Sequence, residues 1–330
     1  MNDINKITLI GTGLIGASLG LAIKKFIPNI EIIGFDLDKK NLTYSKNIRA
    51  IDQTALSIED SVMDSGLVIL SVPIREMKDI FLQIKDVVRK NCIISDTGST
   101  KKDVLAWSEE IFSNDVNFVG GHPMAGGETS GPELARSDLF EGRKYCVISS
   151  SSSSDFAVNS LVDIIERINA VPFFIDPDEH DSLVAGISHL PHLLSVFLVN
   201  TTVSDNAWKD LNRLAATGYE SVSRLASGDV IMHKDICLTN QKHICLWLDK
   251  LVGEINYLKD ILEKDPNNST ELIEYFSNAK KERDKWLSNF NQKHGNNKII
   301  EDSTQVGMIQ YLLGSVILKN IKRLFKRSSD

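Results

Sequence analysis

Ile7-Thr8-Leu9-Ile10-Gly11-Thr12-Gly13-Leu14-Ile15-Gly16, running on into the helical pattern Ala17 to Phe26, is an apolar strand, a tight glycine turn and a helix in immediate succession. In a doubly wound α/β sheet the three glycines of such a run have separate duties. Gly11 makes the turn, Gly13 leaves room for a pyrophosphate, and Gly16 lets the helix pack on its strand. The phosphate then lies at the helix amino terminus, where unpaired N–H groups and the helix dipole converge, with Leu14 and Ile15 alongside it. The glycine run alone is a weak signal. It gains force from a second strand, Glu31 to Phe35, that ends in Asp36, a carboxylate placed to grip the two ribose hydroxyls of NAD and to repel the 2′-phosphate of NADP. Leu37-Asp38 offers no arginine to receive such a phosphate, so NAD is the expected cofactor, although Lys39 and Lys40 follow.

Working outward, Gly66 to Val72 reads as a buried parallel strand closed by Pro73, whose carboxyl end, with Ser71 and Pro73, faces the cofactor. Cys92 to Ser95 is another such strand. It leads through Asp96-Thr97-Gly98-Ser99-Thr100-Lys101-Lys102 into a helix that runs to about Phe112, so Asp96 and Ser99 fall on the crevice side of the sheet. Ser99 or Thr100 would equally serve as a helix cap. A short strand, Asn117 to Val119, is followed by Gly120-Gly121-His122-Pro123-Met124-Ala125-Gly126, and here two readings are open. His122 is either a proton acceptor on a post-strand loop, histidine being the side chain that titrates nearest neutrality, or a turn residue that satisfies a backbone carbonyl. The strand Tyr145 to Ile148 ends at six serines, Ser149 to Ser154, taken as a flexible surface loop because one more helix and strand, Phe156 to Ile168 and Val171 to Ile175, follow it.

From Asp176 onward the pattern is helical. The expected organisation is an α/β, Rossmann-type dinucleotide-binding domain over 1–176, an all-helical second domain over 177–295, and an extension over 296–330. A length of 330 residues with 42% hydrophobic content is enough for two cores. The net charge of −7 argues against a coat for nucleic acid or acidic lipid and favours a small-molecule substrate. No export signal is legible before the first strand. Cys92, Cys146, Cys237 and Cys245 lack metal or CxxC spacing, as expected of reduced thiols in the cytoplasm. The apolar run Val306 to Leu318 is too short to span a bilayer, so no integral membrane segment is expected, and the basic residues Lys319 to Arg327 fit a helix on the dimer, a tail or a membrane-surface helix.

The first helix of the second half carries Ser188-His189-Leu190-Pro191-His192, where proline removes a backbone donor and bends the helix. His189 and His192, three apart, share a face. They would suit zinc by spacing, but a third ligand is missing and no metal is expected.

These elements together resemble the prephenate and arogenate dehydrogenases of tyrosine synthesis. The likeness rests on GTGLIGASL at 11–19, DTGSTK at 96–101, GGHPMAGGETSG at 120–131, LFEGR at 139–143, HD at 180–181 and SHLPH at 188–192. It implies an NAD-dependent oxidative decarboxylation, in which hydride leaves C4 of the cyclohexadienyl ring and loss of carbon dioxide makes the ring aromatic. It implies further that His122 accepts the ring hydroxyl's proton, that Ser99 bonds the same hydroxyl and orients the imidazole, and that Arg224 grips a substrate carboxylate. Gly218, Ser188, His189 and His192 fall to the substrate pocket, and Glu128 matches a residue proposed to gate it. His192 points to prephenate, with arogenate also open. Arg224 alternatively pairs with Glu220, four residues earlier, and Glu220-Ser221 stands where the family commonly has a basic residue and an aspartate. A homodimer through the long helices from about His233 onward is implied. Two other classes remain: a β-hydroxyacid dehydrogenase, whose catalytic lysine context is absent here, and an NAD-binding homologue without turnover.

Overall fold

The computed structural model describes residues 4–112, 116–127, 131–150, 153–264 and 269–294. Eight strands form one sheet: β1 (Lys6–Ile10), β2 (Glu31–Phe35), β3 (Gln53–Thr54), β4 (Leu67–Leu70), β5 (Ile93–Asp96), β6 (Asn117–Pro123), β7 (Lys144–Ser149) and β8 (Val171–Phe174). Their order is β3-β2-β1-β4-β5-β6-β7-β8. All neighbours are parallel except β6 and β7. The order reverses between β1 and β4, and a sheet of this kind opens its ligand crevice at that point, beyond the strand carboxyl ends.

Helices α1 (Leu14–Phe26), α2 (Lys39–Asn47), α3 (Ile58–Val62), α4 (Glu76–Ile84), α5 (Lys102–Ile111) and α6 (Asp155–Arg167) cover the two faces. Both faces are dry. Ile7, Leu9, Ile32, Leu67 and Ile93 pack with the inner sides of α1 and α6, while Ile10, Val68, Leu70, Ile94 and Phe118 pack with Met77, Phe81 and Val104 of α4 and α5. Strands buried on both sides explain why they read as continuous Ile/Val/Leu runs.

At two of the three positions of the glycine turn the chain's own packing requires glycine. Gly11 has φ +90°, and a Cβ there would lie 2.3 Å from the Ser71 carbonyl oxygen. At Gly16 a Cβ would lie 2.0 Å from the Gly11 carbonyl oxygen. Both are required by packing within the fold itself. A Cβ on Gly13 meets no atom within 4 Å, so nothing in the chain's own packing explains that glycine.

One sequence expectation is overturned by strand pairing. His122 does not emerge on a loop: β6 continues through Pro123 because it pairs antiparallel with β7, His122 opposite Cys146 and Pro123 opposite Tyr145. Glycines 120 and 121 accordingly serve close approach rather than a turn; a Cβ on Gly121 would sit 2.5 Å from the Asp96 carbonyl oxygen. In the serine run, the described Ser150, Ser153 and Ser154 bond to the fold. Ser150 donates its hydroxyl hydrogen to the Phe118 carbonyl at 3.0 Å, Ser153 bonds the same carbonyl, and Ser154 caps α6 by accepting from the Ala157 N–H at 3.2 Å.

After β8 the chain is helical: α7 (Pro177–Val184), a π turn (Ala185–His189), α8 (Leu190–Val203), α9 (Trp208–Leu214), α10 (Thr217–Ser223), a 3₁₀ turn (Arg224–Ser227), α11 (Val230–Thr239), α12 (Gln241–Lys264) and α13 (Ser269–His294). The switch from sheet to helix falls at Asp176, whereas the first compact unit, Met1–Asn256, continues beyond it; Tyr257–Asp330 forms the second. In that second unit Tyr257 and Tyr275 face each other with ring centroids 6.0 Å apart. The extension over 296–330 lies outside the described residues.

The Pro177–Val203 run is long and apolar enough to cross a membrane by length and composition, with a hydropathy of 1.7. It nevertheless carries His180, Asp181 and His189, each about 1% exposed and hydrogen-bonded inside the first unit. The irregularity in this run lies one turn before the expected bend. Gly186 in the π turn admits the Trp247 indole, which a Cβ would meet at 2.5 Å, and Trp247 Nε1–H donates to the Ser182 carbonyl at 3.3 Å.

The glycines separate into two kinds by experiment. Gly16→Ala should lower unfolding free energy by more than about 2 kcal/mol through overpacking against backbone. Gly13→Ala, at ordinary φ −71°, should cost no more than about 1 kcal/mol as a lost N-cap preference. Urea denaturation of the two variants measures the difference.

Candidate active site

The dinucleotide end of the crevice is built from the β1–α1 turn. Helix α1 begins at Gly13 with no side-chain cap and no acidic residue in its first turn, so its first N–H groups and positive dipole end are unopposed. Gly13 supplies the space in front of them. Asp36 closes the opposite side: its Oδ2 accepts from the Thr12 N–H at 2.7 Å and the Thr12 hydroxyl at 3.1 Å, and its Oδ1 accepts from the Asp38 N–H at 2.8 Å. These bonds fix the carboxylate while leaving one lone pair, on Oδ1, for a ribose hydroxyl. At the ends of β4 and β5, Ser71 and Thr97 hydroxyls lie 3.0 Å apart, and Pro73 is exposed. Leu14 and Ile15 stand at the start of α1, half-buried. The residues present therefore fit an adenine dinucleotide with a free 2′-hydroxyl.

Asp96 takes a different place from the expected one. It is fully buried, paired with the equally buried Lys101, and accepts from the Gly98 N–H at 2.8 Å and the Gly121 N–H at 3.1 Å. Lys101 also donates to the Gly121 carbonyl at 2.7 Å. The carboxylate is enclosed by protein partners and ties β5, β6 and the Ser99 loop together from beneath, so it does not face the crevice. A buried pair of this kind tolerates desolvation only when its remaining donors and acceptors are satisfied, as they are here.

His122 lies above this pair, 9% exposed. Register explains its position: β5 last pairs at Ser95, opposite Val119, so Gly121, His122 and Pro123 project past the end of β5 toward the crevice. Its Nδ1 lies 2.9 Å from His180 Nε2, and His180 Nδ1 lies 2.8 Å from Asp181 Oδ1. Asp181 also accepts from the backbone N–H of Lys101 at 2.8 Å and of Lys102 at 3.0 Å, so it caps α5 from another element. Neither Ser99 nor Thr100 fills that role. The side chain in contact with the His122 imidazole is thus His180.

Burial first, then His180, the Lys101 ammonium and His189, hold His122 well below the usual histidine range. The ring is therefore neutral at physiological pH and able to accept a proton. His189 lies against the Ser99 backbone with its Nδ1 3.2 Å from the Asn240 side-chain amide, and burial pushes it down to about 4. Asn240 Nδ2 also donates to the Asp181 carbonyl at 2.7 Å. Ser188, half-buried, precedes His189 in the π turn, a wider turn often found where helices build sites.

His192, on the first turn of α8, meets other partners than His189. Its ring packs on His233 with centroids 4.5 Å apart, and burial lowers both histidines. His192 Nδ1 and His233 Nε2 are shielded from solvent without a hydrogen-bond partner. Arg224, exposed, opens the 3₁₀ turn that packs on α8, where the Ala226 N–H donates to Ser195 Oγ at 2.8 Å. Gly218 is exposed with no atom near its Cβ direction. Glu128 lies outside the described residues. No cluster of three metal-ligating side chains occurs among the described residues.

Sequence reading missed Lys101, His180, Asp181 and Asn240 as parts of the site. DTGSTK at 96–101 and HD at 180–181 contained three of them without a role, and the His180 contact with His122 spans 58 residues of chain.

The fold and site are those of a nicotinamide-dependent dehydrogenase with a helical second half. Residues 19–173 match the family model for the prephenate dehydrogenase nucleotide-binding domain and residues 176–278 that for the prephenate dehydrogenase dimerization domain; the chain belongs to the prephenate dehydrogenase family. It is similar to the prephenate dehydrogenase of Bacillus subtilis, 33% identical over 287 residues that cover 86% of this chain and 77% of the relative. The prephenate dehydrogenase of Lactococcus lactis is 31% identical over 278 residues, covering 83% and 75%. Among solved structures, the A. aeolicus prephenate dehydrogenase in complex with hydroxyphenyl propionate and NAD+ superposes with a TM-score of 0.79 at 26% identity, over 86% of this chain and 98% of that one.

The lowered histidines predict an acid-sensitive fold. A histidine near 6.5 when unfolded and about 4 when folded binds its proton preferentially in the unfolded chain, so stability is full above pH ~6.5 and declines as pH falls toward 4. His189 alone contributes on the order of 3 kcal/mol to that decline. Unfolding measured from pH 7 to pH 4 should show it, and His189→Gln should flatten the slope.

Proposed function

We propose that this chain catalyses the NAD-dependent oxidative decarboxylation of prephenate to 4-hydroxyphenylpyruvate, a step of tyrosine synthesis. One observation carries the reading: a buried imidazole, His122, kept neutral by its surroundings and held past the end of β5 where the crevice of a dinucleotide sheet lies. Family membership names the substrate, and the relative solved with NAD+ and a hydroxyphenyl acid supports the ligand pair.

When bound, NAD supplies the hydride acceptor. The α1 amino terminus and Gly13 would hold its pyrophosphate, and Asp36 its adenosine ribose. His122 takes the proton of the ring hydroxyl as hydride departs and returns it to the phenolate oxygen once carbon dioxide has been lost, so the base leaves each cycle as it entered. Ser99 would bond the same hydroxyl. Arg224 would take a substrate carboxylate in a two-pronged hydrogen bond that lysine does not reproduce, with Gly218, Ser188, His189 and His192 around it. Water is kept from the base by the same burial that keeps it neutral.

The chain is read as a cytoplasmic homodimer. The family model for residues 176–278 carries that implication, and exposed Leu194, Phe197, Val222, Val230, Ile231 and Leu238 on the helical half support it. Four unpaired thiols fit a reducing compartment.

Two outcomes follow for activity. His122→Asn should lower kcat by about 100- to 10,000-fold while leaving the NAD dissociation constant within about twofold, as expected for loss of a general base. Equal turnover in the variant would remove the assigned chemistry. Arg224→Ala should raise the KM for prephenate by roughly 10- to 100-fold with a smaller change in kcat, the loss of one charge-assisted fork. An unchanged KM places the carboxylate site elsewhere.

A further inference from the structure

The His122–His180–Asp181 chain determines which nitrogen of the base is available. Asp181 is a carboxylate whose two oxygens already accept from the Lys101 and Lys102 N–H groups, and it offers His180 only an acceptor. With Asp181 as acceptor, a neutral His180 places its one hydrogen on Nδ1, facing the carboxylate, and a lone pair on Nε2. That lone pair faces His122 Nδ1 at 2.9 Å. For the contact to be a hydrogen bond, the neutral His122 must carry its hydrogen on Nδ1, which leaves Nε2 as the free acceptor. All three side chains are buried, so water does not substitute for any link.

We infer that His180 and Asp181 are positioning residues that lock the tautomer of His122, making Nε2 the nitrogen that accepts the substrate hydroxyl's proton. The proposal rests on the reading of His122 as the base. In the forward step the hydroxyl O–H bond breaks and an Nε2–H bond forms; the Nδ1–H of the resulting imidazolium stays directed at His180 Nε2, with the Asp181 carboxylate next in line to stabilise the charge. No proton leaves the chain, because the same Nε2–H protonates the phenolate after carbon dioxide departs. Asp181 has a second consequence through its cap on α5. One carboxylate sets both the base tautomer and the start of the helix that follows the Ser99 loop, so the two groups expected at the hydroxyl are aligned by one anchor.

Three substitutions separate a tautomer lock from plain packing. His180→Leu removes the acceptor, and by the usual loss for an orienting partner kcat should fall about 10- to 100-fold with KM for prephenate and NAD changed less than about threefold. His180→Gln restores an acceptor oxygen near the Nε2 position and should recover most of that loss. Asp181→Asn keeps one oxygen for the cap but turns N–H toward His180 Nδ1. This flips His180 and forces hydrogen onto His122 Nε2, so kcat should fall by roughly 100-fold or more, the wrong-tautomer effect known from catalytic triads.

The direct readout needs no turnover: ¹⁵N NMR of ring nitrogens, with His122 assigned by its loss in His122→Asn. The parent should show a protonated Nδ1 and a bare Nε2, and Asp181→Asn the reverse. A parent ring with hydrogen on Nε2 overturns the proposal, as does His180→Gln falling as far as His180→Leu. Absence of prephenate oxidation in a parent that still shows Nδ1–H would sink the functional reading and leave the lock standing.

Discussion

The Asp181 carboxylate is the contact on which the rest of the site depends. It stands on α7, in the helical half of the chain, and accepts from three donors: two backbone N–H groups at the start of α5 and the Nδ1–H of His180. Through the first two it fastens the helical half to the sheet at the end of β5; through the third it fixes the ring that faces His122. Carboxylate at a helix amino terminus is favourable by charge as well as by hydrogen bonding, which lets one buried anion serve both purposes without an adjacent cation of its own.

Beneath it lies a second buried anion. Asp96 and Lys101 would be costly to enclose separately, and removing either would leave the other uncompensated. Together they tie β5 to β6 at the point where β6 runs past β5 and presents His122. The chemistry above then follows from burial. A protein interior disfavours the charged imidazole, and the Lys101 ammonium beneath adds to that preference, so the ring waits as a neutral acceptor. The histidines thereby trade acid stability for a base that is ready at neutral pH.

Much of this was legible in the chain. The glycine turn, Asp36 and the alternation of apolar strands with amphipathic segments are local patterns, and the sheet, its crevice and the helical second half follow from them. What was not legible depends on pairing at a distance. His122 looked like a loop residue because β7, which extends its strand, begins more than twenty residues later, across a glycine-rich segment. Asp96 looked like a crevice residue because nothing local says that Lys101 folds back beneath the sheet to meet it. Pro191 suggested a bend where the helix instead widens one turn earlier, around the Trp247 indole, and nothing local to the SHLPH motif says that His189 meets Asn240 while His192 meets His233. His180 could not be connected to His122 by spacing, since the contact closes only when α7 docks on α5.

Oxidation of prephenate by this chain requires its neutral base and its dinucleotide crevice to act on one substrate. The most direct measurement incubates the full chain with NAD and prephenate and quantifies NADH and carbon dioxide together. Equimolar formation of the two is the predicted result. Tight NAD binding with neither product formed, or NADH without carbon dioxide, would contradict it.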